Sequence, residues 1–395
     1  MLDKPAILGG VPVREDLLAF GKPLISQDEI DEVVDTLRSG WLSTGPKVAI
    51  FEERFKEYIG VRHAIALNSC TAGLHLALEV CGIKPGDEVI TTPFTFCATA
   101  NVITHLGAKV VFSDIDKDTL CIDPNEIERN ITSRTKAIIP VHFAGQVCRM
   151  DEIYDIAKRY NLRVIQDAAH AIEATYKGKK VGSFPDLTSY SFYATKNLTT
   201  GEGGAVVTDN DSFAEKIRVL RLHGLTQDAW RRYEEVRHYD VTIAGYKYNM
   251  MDIQAALGIR QLEKLERYLQ IRERYFKMYD EAFSRIQGII LPKSIPGIRH
   301  ARHLYVIMLD LEQITIGRDE FLEALKAENI GTGIHFIPLH LHSFYRKAGY
   351  KKGDFPQSEW AGERILSLPM SAGLTTKDIE DVISAVKKII SYYRK

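Results

Sequence analysis

Between about residues 60 and 210, short apolar runs rich in β-branched residues alternate with amphipathic stretches. The runs predict strands at Ala64–Ala66, Glu88–Thr91, Lys109–Phe112, Ala137–Val141, Arg163–Gln166, Ser189–Phe192 and Gly204–Thr208. Several are apolar throughout instead of alternating, as in strands covered on both faces. Intervening segments such as Thr71–Cys81, Thr95–Leu106 and Met150–Tyr160 read as helices. Such alternation implies an α/β fold, with a mostly parallel sheet joined by right-handed crossovers.

The flanks have a different rhythm. Ser26-Gln27-Asp28-Glu29 has the form of a helix N-cap with an acidic first turn, leading a helix to about Ser39 that Gly40 terminates. Beyond residue 245, Asp252–Tyr268 and Arg272–Phe283 read as two long helices with charged outer faces. A smaller α+β portion follows, with a strand at Leu304–Leu309, a helix at Arg318–Glu328, a strand near Gly333–Phe336 and a last helix from Thr376 to Tyr393. The boundary is expected between residues 245 and 285, which gives a large unit, 1–250, and a small one, 251–395. There are no internal repeats or low-complexity tracts.

Composition removes several function classes. The 395 residues hold 51 Lys and Arg against 52 Asp and Glu, so no net field attracts nucleic acid or an anionic membrane. Five cysteines, Cys70, Cys81, Cys97, Cys121 and Cys148, are scattered without a Cys-x-x-Cys pair, so neither a disulfide framework nor a zinc site is expected. Met1-Leu2-Asp3-Lys4-Pro5 lacks the apolar core of a signal peptide, and no apolar run approaches the roughly 18–20 residues that span a bilayer. The expectation is a soluble, reduced, cytoplasmic protein without a bound metal.

The chemistry concentrates in Ser191-Phe192-Tyr193-Ala194-Thr195-Lys196-Asn197-Leu198-Thr199-Thr200-Gly201-Glu202-Gly203-Gly204, where one Lys lies between a β-like run and a Gly-rich turn. Upstream, Val164-Ile165-Gln166-Asp167 puts a carboxylate at the carboxyl end of a buried strand. A Lys able to form a Schiff base and a carboxylate beside it are what pyridoxal 5'-phosphate (PLP) asks of a protein. An arbitrary Lys is a surface Lys, and an Asp at a strand end often caps the next helix. One ring must touch both residues here, so each constrains the other. His170 is placed to hydrogen-bond the ring's 3-hydroxyl, or else is a buried structural His. Asn68-Ser69-Cys70-Thr71-Ala72-Gly73-Leu74 runs from a strand into a helix, whose N-terminal N–H groups and dipole suit a phosphate. Ser191 adds a hydroxyl, and Phe96 either stacks on the ring or belongs to the core. A dinucleotide-binding enzyme is excluded, because no Gly-x-Gly-x-x-Gly joins a strand to a helix.

At these residues the chain resembles the DegT family, the sugar aminotransferases among fold-type I PLP enzymes. The resemblance runs through Ser39-Gly40-Trp41-Leu42-Ser43-Thr44-Gly45-Pro46, the Asn68 to Ala72 turn, Ile139-Pro140-Val141-His142-Phe143-Ala144-Gly145, Asp167-Ala168-Ala169-His170 and the Lys196 stretch. It continues through Gly245-Tyr246-Lys247-Tyr248-Asn249-Met250, Ile253-Gln254-Ala255-Ala256 and Gly331-Thr332-Gly333-Ile334-His335-Phe336. It implies a large domain with a mostly parallel seven-stranded sheet between helices, and a smaller C-terminal α+β domain. It implies that Lys196 carries PLP as an internal aldimine, with pyridoxamine phosphate as the intermediate, and that Asp167 meets the pyridine nitrogen. Phe96 would stack on the ring, with Cys70, Thr71 and Ser191 around the phosphate. Asn249 would reach the phosphate of a neighbouring subunit, which implies a homodimer with shared active sites.

Within the group the chain is most similar to enzymes that aminate the 4-keto carbon of UDP-linked sugars, such as the UDP-4-amino-4-deoxy-L-arabinose and UDP-4-amino-4,6-dideoxy-N-acetyl-β-L-altrosamine aminotransferases. It departs from those two at Tyr193, on the substrate side, where they carry His. The implied reaction moves an amino group from L-glutamate, leaving 2-oxoglutarate, to a nucleotide sugar, with Lys196 as acid and base in turn. Thr44, His335 and Phe336 are candidates for holding that sugar. Arg221 and Arg232 either receive a carboxylate or diphosphate or are solvated surface groups. Alternative readings are amination of a 3-keto sugar or a cyclitol, and a PLP-fold regulatory protein without turnover. An intact Lys196 and Asp167, and no basic DNA-binding appendage, weigh against the last.

Overall fold

The computed structural model describes residues 4–184, 187–226 and 238–395. The seven anticipated runs form one sheet: β1 (His63–Leu67), β2 (Glu88–Thr91), β3 (Lys109–Phe112), β4 (Thr135–Ile139), β5 (Arg163–Asp167), β6 (Leu187–Ser191) and β7 (Gly204–Thr208). Their spatial order is β1-β7-β6-β5-β4-β2-β3. The pairs from β6 across to β3 are parallel, while β7 runs antiparallel to both β1 and β6. Parallel β5 and β6 pair Asp167 with Ser189, so both strands end at the same sheet edge. Ligands of open α/β sheets bind outside such carboxyl ends.

Helices cover both faces. They are α1 (Gln27–Ser39), α2 (Pro46–Ile59), α3 (Cys70–Val80), α4 (Cys97–His105), α5 (Pro124–Arg129), α6 (Met150–Tyr160) and α7 (Asp211–Leu220). The helix α3 is buried almost all round and lies on β6 and β7, which explains its run of small and apolar residues. Gly73 permits that approach, since a Cβ there would lie 2.2 Å from the Ser189 hydroxyl. Ser26 is the anticipated N-cap of α1, with Glu29 completing a capping box, and Gly40 ends the helix in the left-handed conformation.

Two expectations change after residue 250. The anticipated pair of helices is one helix, α8 (Asp252–Phe283), of 32 residues. Nothing at Leu269–Ile271 breaks it: no Gly or Pro interrupts, and Tyr268, Leu269, Arg272, Tyr275 and Phe276 keep one buried face in phase. The segment Gly333–Phe336 is not a strand; Gly333 makes a single bridge to Ser367, and the chain then leaves the sheet.

The C-terminal layer is a three-stranded antiparallel sheet of β8 (Ile289–Ile290), β9 (Tyr305–Leu309) and β10 (Ile365–Leu368). It is packed by α9 (Arg318–Ala327) and α10 (Thr376–Tyr393). The helix α8 serves both layers: its first half packs on α1 and α2, and its second half gives Tyr275, Phe276, Tyr279 and Phe283 to the C-terminal core. The N-terminal segment also joins that core, with Leu18 bridged to Ile330 and the Ala6 and Val13 amides donating to Glu328. All five cysteines are free. Among the described residues, no group of His, Cys, Asp and Glu could hold a metal, and no helix is long and apolar enough to cross a membrane.

Candidate active site

The sheet's carboxyl edge opens on a cavity of about 480 Å³. The strand β5 delivers Asp167 to its floor and β6 delivers Ser191 to its rim. Beyond Phe192, which is buried among Phe51 and Phe55, the chain turns through Lys196 and returns into β7. Phe192 donates to Gly203 O and accepts from Thr200 N, which closes this loop at its base. The N-terminus of α3 faces the same cavity with Ser69, Cys70 and Thr71, and the Ser69 hydroxyl accepts from Ala72 N at 3.1 Å. A Cβ at Gly204 would lie 2.4 Å from the Ser69 carbonyl carbon, so only glycine lets β7 start this close to that helix end.

Lys196 and Asp167 define the electrostatics. Burial drives the Lys196 ammonium down to about 8, opposed by the charges of Asp167 and Cys70. Burial pushes the Asp167 carboxyl up, opposed by a 2.8 Å bond from Thr99 Oγ1, a 3.1 Å bond from Ala169 N and the charge of Lys196. The Cys70 thiol is likewise raised by burial, so it is a neutral wall 3.3 Å from the Ser189 hydroxyl. His170 is held neutral by burial and by Lys196; its Nδ1 accepts from Ala144 N, which leaves Nε2–H as a donor. Burial lowers His335 to about 4, and its Nδ1 pairs with the Ser367 hydroxyl at 2.9 Å.

Two aromatic side chains stand open to this space, Phe96 at 62 % and Tyr193 at 47 % exposure. Phe96 is the N-cap residue of α4, which begins two residues later than anticipated. Phe336 lines the cavity between Phe96 and His170, with ring centroids 6.5 Å and 6.1 Å away. One cavity therefore gathers Cys70, Thr71, Phe96, Asp167, His170, Ser191, Tyr193, Lys196, His335 and Phe336 from widely separated segments.

This donor set fits PLP. A desolvated amine is available for the aldehyde, a buried carboxylate for the ring nitrogen, an open phenyl face for the ring, and a helix N-terminus with a hydroxyl for the phosphate.

Three anticipated residues lie elsewhere. Asn249 donates to Thr44 Oγ1 at 2.7 Å, and Thr44 donates to Met250 O at 2.7 Å; neither lines this chain's cavity. Arg221 is a correction: it is neither solvated nor free for an anion, but buried, paired with Glu52 and 2.8 Å from Ala66 O. Arg232 lies outside the described residues. Two contacts escaped the sequence reading. Thr99, which touches Asp167, is one helical turn beyond Phe96, a spacing that could have found it. Asn197 is bonded to His303, more than 100 residues away, which no local pattern marks.

Comparison with known proteins agrees with this geometry. The model of the DegT/DnrJ/EryC1/StrS aminotransferase family matches residues 23–387. The spore coat polysaccharide biosynthesis protein SpsC of Bacillus subtilis is 50% identical over 384 residues, covering 96% of this chain and 99% of its own. Spr1654 from Streptococcus pneumoniae, solved in a PMP form, superimposes with a TM-score of 0.88 at 35% identity, covering 95% of this chain and 99% of that one. Its PLP form gives a TM-score of 0.87. Helicobacter pylori PseC, an aminotransferase involved in the biosynthesis of pseudoaminic acid, gives 0.90 at 29% identity, covering 96% and 100%. The chain belongs to the DegT/DnrJ/EryC1/StrS aminotransferase family and is a PLP-dependent aminotransferase of fold type I.

Proposed function

We propose that this protein transfers an amino group from L-glutamate to the 4-keto carbon of a nucleotide-linked deoxy sugar, with UDP as the nucleotide. The product serves surface polysaccharide synthesis in the cytoplasm of the cell. One observation carries the reading: a desolvated lysine and a buried carboxylate face the same cavity. Support for the sugar comes from the 50% identity to SpsC and from the PseC likeness.

PLP, when bound, supplies an electrophilic aldehyde and a ring that accepts electron density. Lys196 would hold it covalently; displaced by the donor, its amine would carry the proton off the donor's Cα and pass it to the cofactor, and in the second half-reaction it would move a proton the other way, onto the sugar carbon that gains nitrogen. Its depressed basicity suits that double duty, because general acid–base groups work best near the operating pH. Asp167, kept from water, would hold the ring nitrogen protonated. Cys70, Thr71 and Ser191, which line the cavity, would hold the phosphate, Phe96 would stack on the ring, and the His170 Nε2–H, left free as a donor, would bond the 3-hydroxyl. Tyr193, His335 and Phe336 form the sugar's side of the cavity. Thr44 and Asn249 act in the site of the second subunit of a homodimer, in keeping with their position away from this chain's own cavity.

The test is incubation of the holoenzyme with L-glutamate and a panel of UDP-linked 4-keto sugars, followed by mass spectrometry and NMR of the product. The expected product gains an amine at C4 while glutamate becomes 2-oxoglutarate. An amine at C3, or turnover only of a cyclitol ketone, would replace the substrate assignment. Borohydride reduction should fix the cofactor on Lys196; label on another side chain would overturn the site.

A further inference from the structure

Asn197, next to Lys196, is held on three sides. Its Nδ2 donates to Glu173 Oε2 at 2.8 Å and to Ala301 O at 2.9 Å, and its Oδ1 meets His303 Nδ1 at 3.0 Å. Glu173 is fully buried and paired with Arg272 on α8, itself 2 % exposed. A carbonyl can only accept, so Ala301 forces the amide's NH2 towards itself and Glu173. The oxygen then faces His303, whose Nδ1 has to carry the proton. His303 packs against His170 with ring centroids 4.5 Å apart, and both rings lie near enough to feel the charge of Lys196.

We propose that Asn197 is a positioning residue: clamped by Glu173, Ala301 and His303, it holds the Lys196 loop inside the desolvated cavity and fixes His303 as the Nδ1–H tautomer. The clamp draws on three parts of the chain. Glu173 follows β5, Arg272 belongs to α8, and Ala301 and His303 precede β9. The Lys196 side chain is therefore registered against the C-terminal layer as well as against the sheet that bears it. A released loop would let the amine reach water, and its basicity would move back towards an ordinary lysine's. The groups facing Lys196 are Asp167, Cys70, His170, His303 and His335, with Tyr193 and Glu202 lining the same cavity. The clamp's importance for catalysis rests on the reading of Lys196 as the cofactor anchor, but its effect on Lys196 does not.

The experiment measures the Lys196 amine directly in the full-length protein stripped of cofactor. Competitive acetylation with acetic anhydride from pH 6 to 11, read on the Lys196 peptide by mass spectrometry, is expected to show a wild-type midpoint of about 8. Asn197→Ala and His303→Leu should each raise that midpoint by about one unit, a tenfold loss of neutral amine below it. His303→Asn keeps an N–H donor for the Asn197 oxygen and should stay within about 0.3 unit of wild type. Should Asn197→Ala fail to fold, the two His303 variants still decide the matter. Wild-type midpoints in Asn197→Ala and His303→Leu would overturn the proposal, as would a His303→Asn protein that titrates like His303→Leu. Borohydride labelling of a different residue would defeat the anchor assignment and leave this comparison untouched.

Discussion

At the scale of single residues the site depends on charges kept away from water. Asp167 accepts hydrogen bonds from Thr99 Oγ1, Ala169 N and, at 4.0 Å, Cys70 Sγ, yet burial still holds its carboxyl above the usual range, so the folded protein without cofactor bears the cost of an ionised group there. Asp167→Asn removes that charge and keeps the shape. The apo variant should therefore unfold at an equal or higher temperature than wild type, while transamination by the holoenzyme falls by about 10²-fold or more. Thermal unfolding and a glutamate half-reaction measured side by side check this; a variant both less stable and fully active would contradict it. Lys196 gives the matching pH dependence. Only the neutral amine attacks an aldehyde, and the group loses its proton as pH rises through about 8. The rate at which apo protein takes up PLP should climb from pH 7 to 9 and then level off, as followed by the growth of imine absorbance. Lys196, Asp167 and the Ser69–Thr71 turn were legible in the sequence because each is defined by its place at a strand or helix end. Arg221 was not: an arginine between Leu220 and Leu222 shows nothing of the Glu52 carboxylate and the Ala66 carbonyl that absorb its donors.

Among the elements, α8 joins the two layers, and on α1 the buried carboxylate of Glu29 gathers bonds from both helices, beside the Glu32–Arg260 pair. Glu29 receives bonds from Ser26 N and Oγ at 2.9 and 2.6 Å, and from Gln261 and Lys264 at 2.8 and 2.9 Å. Burial alone would raise its pKa, but the Ser26 and Lys264 bonds outweigh that and hold it at about 2, against an ordinary 4.5. A carboxyl depressed on folding stabilises the protein above its unfolded value and loses that contribution as the pH falls towards the folded one. The stability from Glu29 is thus complete above pH 4.5 and drains away towards pH 2. Glu29→Gln is expected to cost about 2 kcal/mol at neutral pH and to flatten the acid limb of the stability curve. Urea unfolding of both proteins between pH 3 and 7 would show it, and parallel curves would refute the linkage. The N-cap at Ser26 and its acidic first turn were readable from four residues. The tie of Glu29 to Gln261 and Lys264 was not, because those lie more than 230 positions away.

For the whole molecule, the position of Thr44 and Asn249 bears on assembly. The two residues are hydrogen-bonded to each other, away from the cavity of their own chain, although the resemblance gives them substrate and cofactor roles. A two-fold dimer reconciles the two, since each such pair would then complete the opposite site. Lys196→Ala and Asn249→Ala proteins should each lose most activity. Refolded together in equal amounts, they should regain about a quarter of the wild-type rate, because half of the dimers are mixed and each mixed dimer has one intact site. A mixture no more active than its components would show that the sites are not shared.

The sequence by itself determined the seven strands, the helices α3, α4 and α6 between them, and the cavity-facing ends of β5, β6 and α3. These depend on local periodicity and on residues whose roles follow from where an element stops. Tertiary structure decided that α8 runs unbroken, since its phase is set by two cores that no window of residues contains. It also decided that Gly333 to Phe336 leaves the sheet to bring His335 and Phe336 to the cavity, and that Asn197 answers to Glu173 and His303. Hydrogen bonds across 24 and 106 positions leave no periodic trace along a chain. Their partners become neighbours only once the layers have packed.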